Sequence, residues 1–208
     1  MKTLTARRGI AAVLFAALFP VAGASRAGLR QVSRDAAIHI WIVDLAGLPP
    51  QVRAQAEETV ADIFRAAGVE VSFVECLALP ARPCLAAPAK NDFWLQILAR
   101  RPSHTHPDAT GFTMLTRSQR PGDSYAAVSY PMAQSVAREL DVPLASVLGA
   151  AMAHEIGHLL LDSPAHSRTG IMSPRLDRRQ FRQLESGELH FTEEEARRLV
   201  ERARALAK

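Results

Sequence analysis

Cysteine is scarce in this 208-residue chain: Cys76 and Cys84 are the only two. No second pair and no adjacent His completes a four-ligand set around them, which argues against a cysteine-based zinc site. Long apolar runs are as few. Ile10 to Phe19 is uninterrupted and is broken by Pro20. It is about half of the roughly 20 residues that a membrane span needs. Lys2, Arg7 and Arg8 precede it and Ala22-Gly23-Ala24 follows, so residues 1–24 read as an export signal with cleavage after Ala24. The expected location is secreted or periplasmic, with no stable membrane anchor after cleavage. An excess of one charge is missing too. The chain has 25 basic and 21 acidic residues; the signal holds three of the basic ones and no acid, which leaves 22 against 21. Nothing in that balance calls for nucleic acid or a membrane surface as partner. In an exported chain the two cysteines suit a disulfide, Cys76–Cys84, across a loop carrying Pro80, Pro83 and Pro88. Closing so short a loop stabilises a fold by roughly 2–3 kcal/mol in the chain-entropy account.

Repeats, low-complexity tracts and internal linkers are also absent, so residues 25–208 are expected to form one domain, long enough for a sizeable core. Ile38 to Val43 is β-branched and aromatic, a strand pattern. Val52 to Ala67 places Val52, Ala56, Val60, Ile63, Phe64 and Ala67 on one helical stripe, with Gly68 at the C-cap. Val69–Val74 and Phe93–Leu98 read as strands, Phe112–Leu115 and Tyr125–Tyr130 as two more, and Met132–Leu140 as a short helix. A long apolar helix follows, with Asp141 as expected N-cap and Pro143 in its first turn, ending near Leu161. Residues 162–175 are rich in turn formers. Thr192 and Glu195 have capping-box spacing ahead of a final amphipathic helix. The fold class this order predicts is α+β: a mixed, twisted sheet of four to five strands backed by two main helices, with additional C-terminal helices.

The long helix carries His154-Glu155-Ile156-Gly157-His158. Positions four apart share a helix face, so both imidazoles can reach one ion. Glu155 sits one residue round the helix, beside the metal rather than aimed at it, where a general base acts on a metal-activated water. A catalytic zinc needs a third ligand and one open position. His166, eight residues past His158, can return to the ion after the helix stops near Asp162-Ser163-Pro164. Asp162, four residues past His158, is the alternative. A ligand from a returning loop closes a tetrahedral half-shell better than a third side chain on one straight helix, which favours His166. His39, His104, His106 and His190 have structural readings. The zinc-site core is thus expected within 142–174.

The helix motif His154-Glu155-x-x-His158, the later His166 and a tight turn holding Met172 in Gly170-Ile171-Met172-Ser173-Pro174 resemble the metzincin clan of zinc metallopeptidases. In that family's longer motif a Gly and a third His follow the second His by three and six residues. Here those positions are Leu161 and Pro164, and His166 comes two residues later. The resemblance implies one zinc ion, Met172 beneath it, and a peptide or protein substrate paired with an edge strand somewhere in 111–130. The function expected is an exported zinc endopeptidase. Two other readings stay open: a zinc hydrolase acting on a cell-wall amide, and a non-catalytic metal-binding module.

Overall fold

The structure, a computed structural model, describes residues 35–76, 89–103, 109–116 and 123–208. The expected signal segment, Cys84, His104 and His106 lie outside the described residues.

An interior strand of the sheet comes from a strongly β-branched segment. In β1 (Ala37–Asp44), Ile38, Ile40 and Ile42 point to the core while His39, Trp41 and Val43 point away. The alternation is the period-two pattern of a strand buried on one face. Next comes α1 (Pro50–Ala67), which buries Ala56, Val60, Ile63, Phe64 and Ala67 and ends at Gly68 with φ 91°, the left-handed conformation that glycine adopts without strain. The strands β2 (Glu70–Cys76) and β3 (Asp92–Leu98) flank β1, both parallel to it. Then β5 (Tyr125–Ser129) pairs parallel with β3, and β4 (Gly111–Met114) pairs antiparallel with β5. The order β2-β1-β3-β5-β4 leaves the short antiparallel β4 at one edge. The mixed five-stranded α+β architecture agrees with the sequence expectation.

Two main helices back the sheet. The second, α3 (Leu144–Leu161), buries 14 of its 18 residues, which accounts for a hydropathy high enough for a membrane span in a helix that is instead the centre of the core. It crosses α1 closely: a methyl added at Gly149 would stand 2.5 Å from Thr59 Cβ and 2.9 Å from the Ala56 carbonyl oxygen.

The cap of this helix differs from expectation. The preceding helix α2 (Tyr130–Leu140) runs to the residue before Asp141, so Asp141 is used up in ending α2, with φ 52° and its N–H on the Ala137 carbonyl. Pro143 is the N-cap of α3. Near the C-terminus, α4 (Arg178–Glu185) starts with an Asp177–Gln180 capping box that the sequence reading passed over, and α5 (Glu193–Leu206) starts with the expected Thr192–Glu195 box.

Cys76 closes β2 and is buried. Its expected partner Cys84 is outside the described residues, so the pairing stays an expectation.

Candidate metal centre

Helix α3 brings His154 and His158 to one face, four residues apart, as its pitch dictates. Asp162 ends it with φ 50°, and its N–H bonds back into the last turn. The chain then reverses. Ser163 N–H donates to the His158 carbonyl at 3.2 Å, and the loop carries His166 to the two helix rings. A ligand nitrogen of each ring lies within 4.8 Å of the others. Asp162, the alternative third ligand, is outside this cluster: it is exposed and faces Arg202 at 3.7 Å. His39 meets Ser72 at 2.6 Å, also away from the centre.

The hydrogen bonds fix what the rings can do. His154 Nδ1 donates to the Ile171 carbonyl at 2.9 Å, and His158 Nδ1 donates to the Ser163 carbonyl at 2.7 Å. Each neutral ring therefore presents an unprotonated Nε2. These two nitrogens face one another at 3.1 Å. Two lone pairs at that distance repel unless a cation stands between them. Nitrogens held tetrahedrally about 2.0–2.1 Å from one ion would be about 3.3–3.4 Å apart. The donor set thus fits a divalent cation. Burial, the largest influence, pushes the His154 imidazole down to about 4 against its bond to Ile171, and burial also lowers His158. Both stay neutral near pH 7, as metal ligands must.

Glu155 is wedged between α3 and the edge strand, 7% exposed. Thr113 on β4 donates its hydroxyl to Glu155 Oε2 at 2.5 Å and is 3.0 Å from the Glu155 carbonyl oxygen. Two residues earlier, Gly111 leaves room: a Cβ there would be 2.8 Å from Glu155 Cγ and 2.9 Å from Oε1. Burial pushes the Glu155 carboxyl up to about 7, against the opposing Thr113 bond. A carboxyl poised near neutral pH can take and return a proton.

The floor of the centre is the turn that holds Met172. Gly170, at φ 78°, passes so close to the His190 carbonyl oxygen that a Cβ would lie 2.5 Å from it. Ile171 N–H bonds that same carbonyl at 2.9 Å, which holds the Ile171 carbonyl against His154. Met172 is fully buried, with its Sδ 2.6 Å from where a Cβ at Gly157 would be. Glycine inside the helix motif therefore lets the methionine pack beneath α3.

His154, Glu155, His158 and His166 line one end of a cleft of about 820 Å³. Apolar side chains of Leu115, Val136, Leu140, Val147 and Phe181 line its other walls, and Gly111, Phe112 and Thr113 of the edge strand form a rim.

Sequence reasoning singled out His154, His158, His166, Glu155 and Met172; the structure brings the three imidazoles together, with Glu155 on the same helix and Met172 packed against Gly157. Sequence reasoning missed Thr113, Gly111 and the two carbonyls that orient the rings. Backbone carbonyls leave no residue-type signature, and Thr113 is 42 positions from its partner. No protein-family model and no curated protein matches the chain. Among solved structures, it is similar to the crystal structure of archaemetzincin from Methanopyrus kandleri, with a TM-score of 0.51 and 14% identity, over 82% of this chain and 98% of that one. At that identity the likeness establishes a shared metzincin-like fold.

Proposed function

We propose that this protein is an exported zinc metalloendopeptidase that hydrolyses peptide bonds with Glu155 as general base. The observation that carries the reading is the pairing of an imidazole cluster with a buried carboxylate at one end of a single cleft. Among the described residues the cluster consists of three histidines, which suits a catalytic site; a structural zinc is usually closed by four. Zinc held by His154, His158 and His166 would supply a Lewis acid for the scissile carbonyl and an activated water. The chain's own groups do the rest. Glu155 accepts the water's proton and returns it to the leaving amine. Thr113 holds the carboxylate in place, and Gly111 leaves room for it. The His154 and His158 rings are locked by the Ile171 and Ser163 carbonyls, the orienting partners that ligand imidazoles commonly have.

The edge strand β4 supports an extended substrate added as a further strand, with backbone hydrogen bonds giving affinity. The apolar walls of the cleft favour a large apolar side chain beside the scissile bond. Exchange of Glu155 for Gln tests the assignment, assayed on extended peptides and on cell-wall fragments. Expected are wild-type zinc content and a loss of peptide hydrolysis on the order of 100-fold or more, the scale of a lost general base. Undiminished hydrolysis by Glu155→Gln would end the catalytic assignment. Cleavage confined to cell-wall fragments would redirect it to another amide.

A further inference from the structure

Of the three imidazoles, His166 is held least directly. Its ring is exposed, and among the described residues none hydrogen-bonds it. Its place depends on the backbone on either side. Upstream, Ser163 is tied twice to His158, through its N–H and its carbonyl. Downstream, Ser167 is also tied twice. Its N–H donates to the Met172 carbonyl at 3.0 Å, and its hydroxyl donates to Glu195 Oε1 on α5.

Glu195 is an unusual acid, only 8% exposed. Its Oε2 accepts the Thr192 N–H at 2.8 Å, which closes the capping box of α5. The box needs one carboxylate oxygen. The other is committed to the residue that follows a metal ligand, 28 positions away. A buried carboxylate is costly unless its oxygens are satisfied, and here both are, one by its own helix cap and one by a segment far away in the chain.

We propose that Glu195 is a positioning residue of the metal centre: through the Ser167 hydroxyl it fixes the backbone that presents His166, so that docking of the C-terminal helix and metal affinity are coupled. The inference rests on the metal centre proposed above. A loop ligand that must be ordered on metal binding spends affinity on that ordering; a loop already tied to α5 is ordered when the chain folds. Groups that orient ligands from behind change metal affinity by about 10–100-fold when removed.

The test is zinc affinity of the full chain, by competition with a chromophoric chelator, with thermal melts alongside. Ser167→Ala is expected to weaken zinc binding about tenfold, while Ser167→Thr, which keeps the hydroxyl, binds within about twofold of wild type. Thr192→Ala strips the cap and leaves the Ser167–Glu195 bond. It should lower the melting temperature yet hold zinc within about twofold of wild type. Glu195→Gln keeps an acceptor for Thr192 N–H but loses the charge, and should weaken zinc at least about threefold; it is a second route should Ser167→Ala fold poorly. Wild-type affinity in both Ser167→Ala and Glu195→Gln would overturn the proposal. So would an equal loss in Thr192→Ala, which would mean that α5 acts through stability alone. A wild-type chain that takes up no zinc would overturn the metal centre itself, and the coupling with it; that outcome is seen before any variant is compared.

Discussion

Replacing Gly111 by Ala adds a single methyl group and should separate the base from the metal. The new Cβ would lie 2.8 Å from the Ala127 carbonyl oxygen, 2.8 Å from Glu155 Cγ and 2.9 Å from Glu155 Oε1, where ordinary contact starts at about 3.4 Å. The Ala127 carbonyl belongs to the adjoining strand, so the β4–β5 pairing must give at this position, and the carboxylate must retreat by about 0.5–0.6 Å. That retreat strains its 2.5 Å bond to Thr113. A misplacement of about 1 Å at a reacting centre costs on the order of 100-fold, so half of that shift should reduce kcat by roughly tenfold. Alanine would otherwise be the better strand residue by about 0.5–1 kcal/mol. Overpacking costs about 1–3 kcal/mol, and the net is a melting temperature lower by a few degrees. None of the three imidazoles is touched, so zinc content should match wild type. The assay is steady-state cleavage of a quenched fluorogenic peptide, with metal analysis and a melt on the same sample. Activity within about threefold of wild type, or loss of the metal, would refute the claim that Gly111 acts by making room for the base.

Two further outcomes follow from the same geometry. Thr113→Val removes the only hydroxyl on the Glu155 carboxylate among the described residues and should lower kcat about tenfold with KM little changed; Thr113→Ser should restore it, and failure of that rescue would assign Thr113 a packing role instead. The second concerns stability of the metal-free protein against pH. The Glu155 carboxyl, pushed up to about 7, keeps a proton that the unfolded chain has released. Its contribution is therefore present in full below the ordinary carboxylate range and is lost as pH rises through about 7. His154, pushed down to about 4, acts oppositely: its contribution is present above the ordinary imidazole value and is lost as pH falls through about 4. Calorimetric melts of metal-free wild type and Glu155→Gln should thus diverge from pH 5 to pH 8, with the variant increasingly the more stable. A constant difference across that range would show that Glu155 is ionised throughout.

The parts of this protein that were legible in its sequence are those set by local periodicity. The alternation in Ile38–Val43, the stripe of α1 with Gly68 behind it, and the spacing of His154, Glu155 and His158 each follow from one element's own geometry. Asp141 was misplaced because a good N-cap residue between two helices can equally end the first, and the left-handed turn there decided it. Helix α4 was missed although Asp177 and Gln180 carry capping-box spacing, because its single buried residue, Phe181, gives almost no apolar stripe. His166 was preferred over Asp162 on coordination geometry, and the αL turn at Asp162 explains why: it turns that side chain toward Arg202 and sends the chain back under the helix. What tunes the site was not legible. Thr113, the Ile171 carbonyl and Glu195 reach it through tertiary contacts that no spacing rule encodes, and the nearby Ser163 carbonyl leaves no residue-type signature.

The most direct test of the account is metal analysis combined with X-ray absorption on the purified protein and on two variants, His166→Ala and Asp162→Ala. The account predicts about one zinc per chain in wild type and in Asp162→Ala, with three imidazole nitrogens at about 2.0–2.1 Å and one light oxygen completing the shell, and substoichiometric zinc in His166→Ala. A wild-type protein without stoichiometric metal, or one whose zinc survives the loss of His166 but not of Asp162, would contradict it.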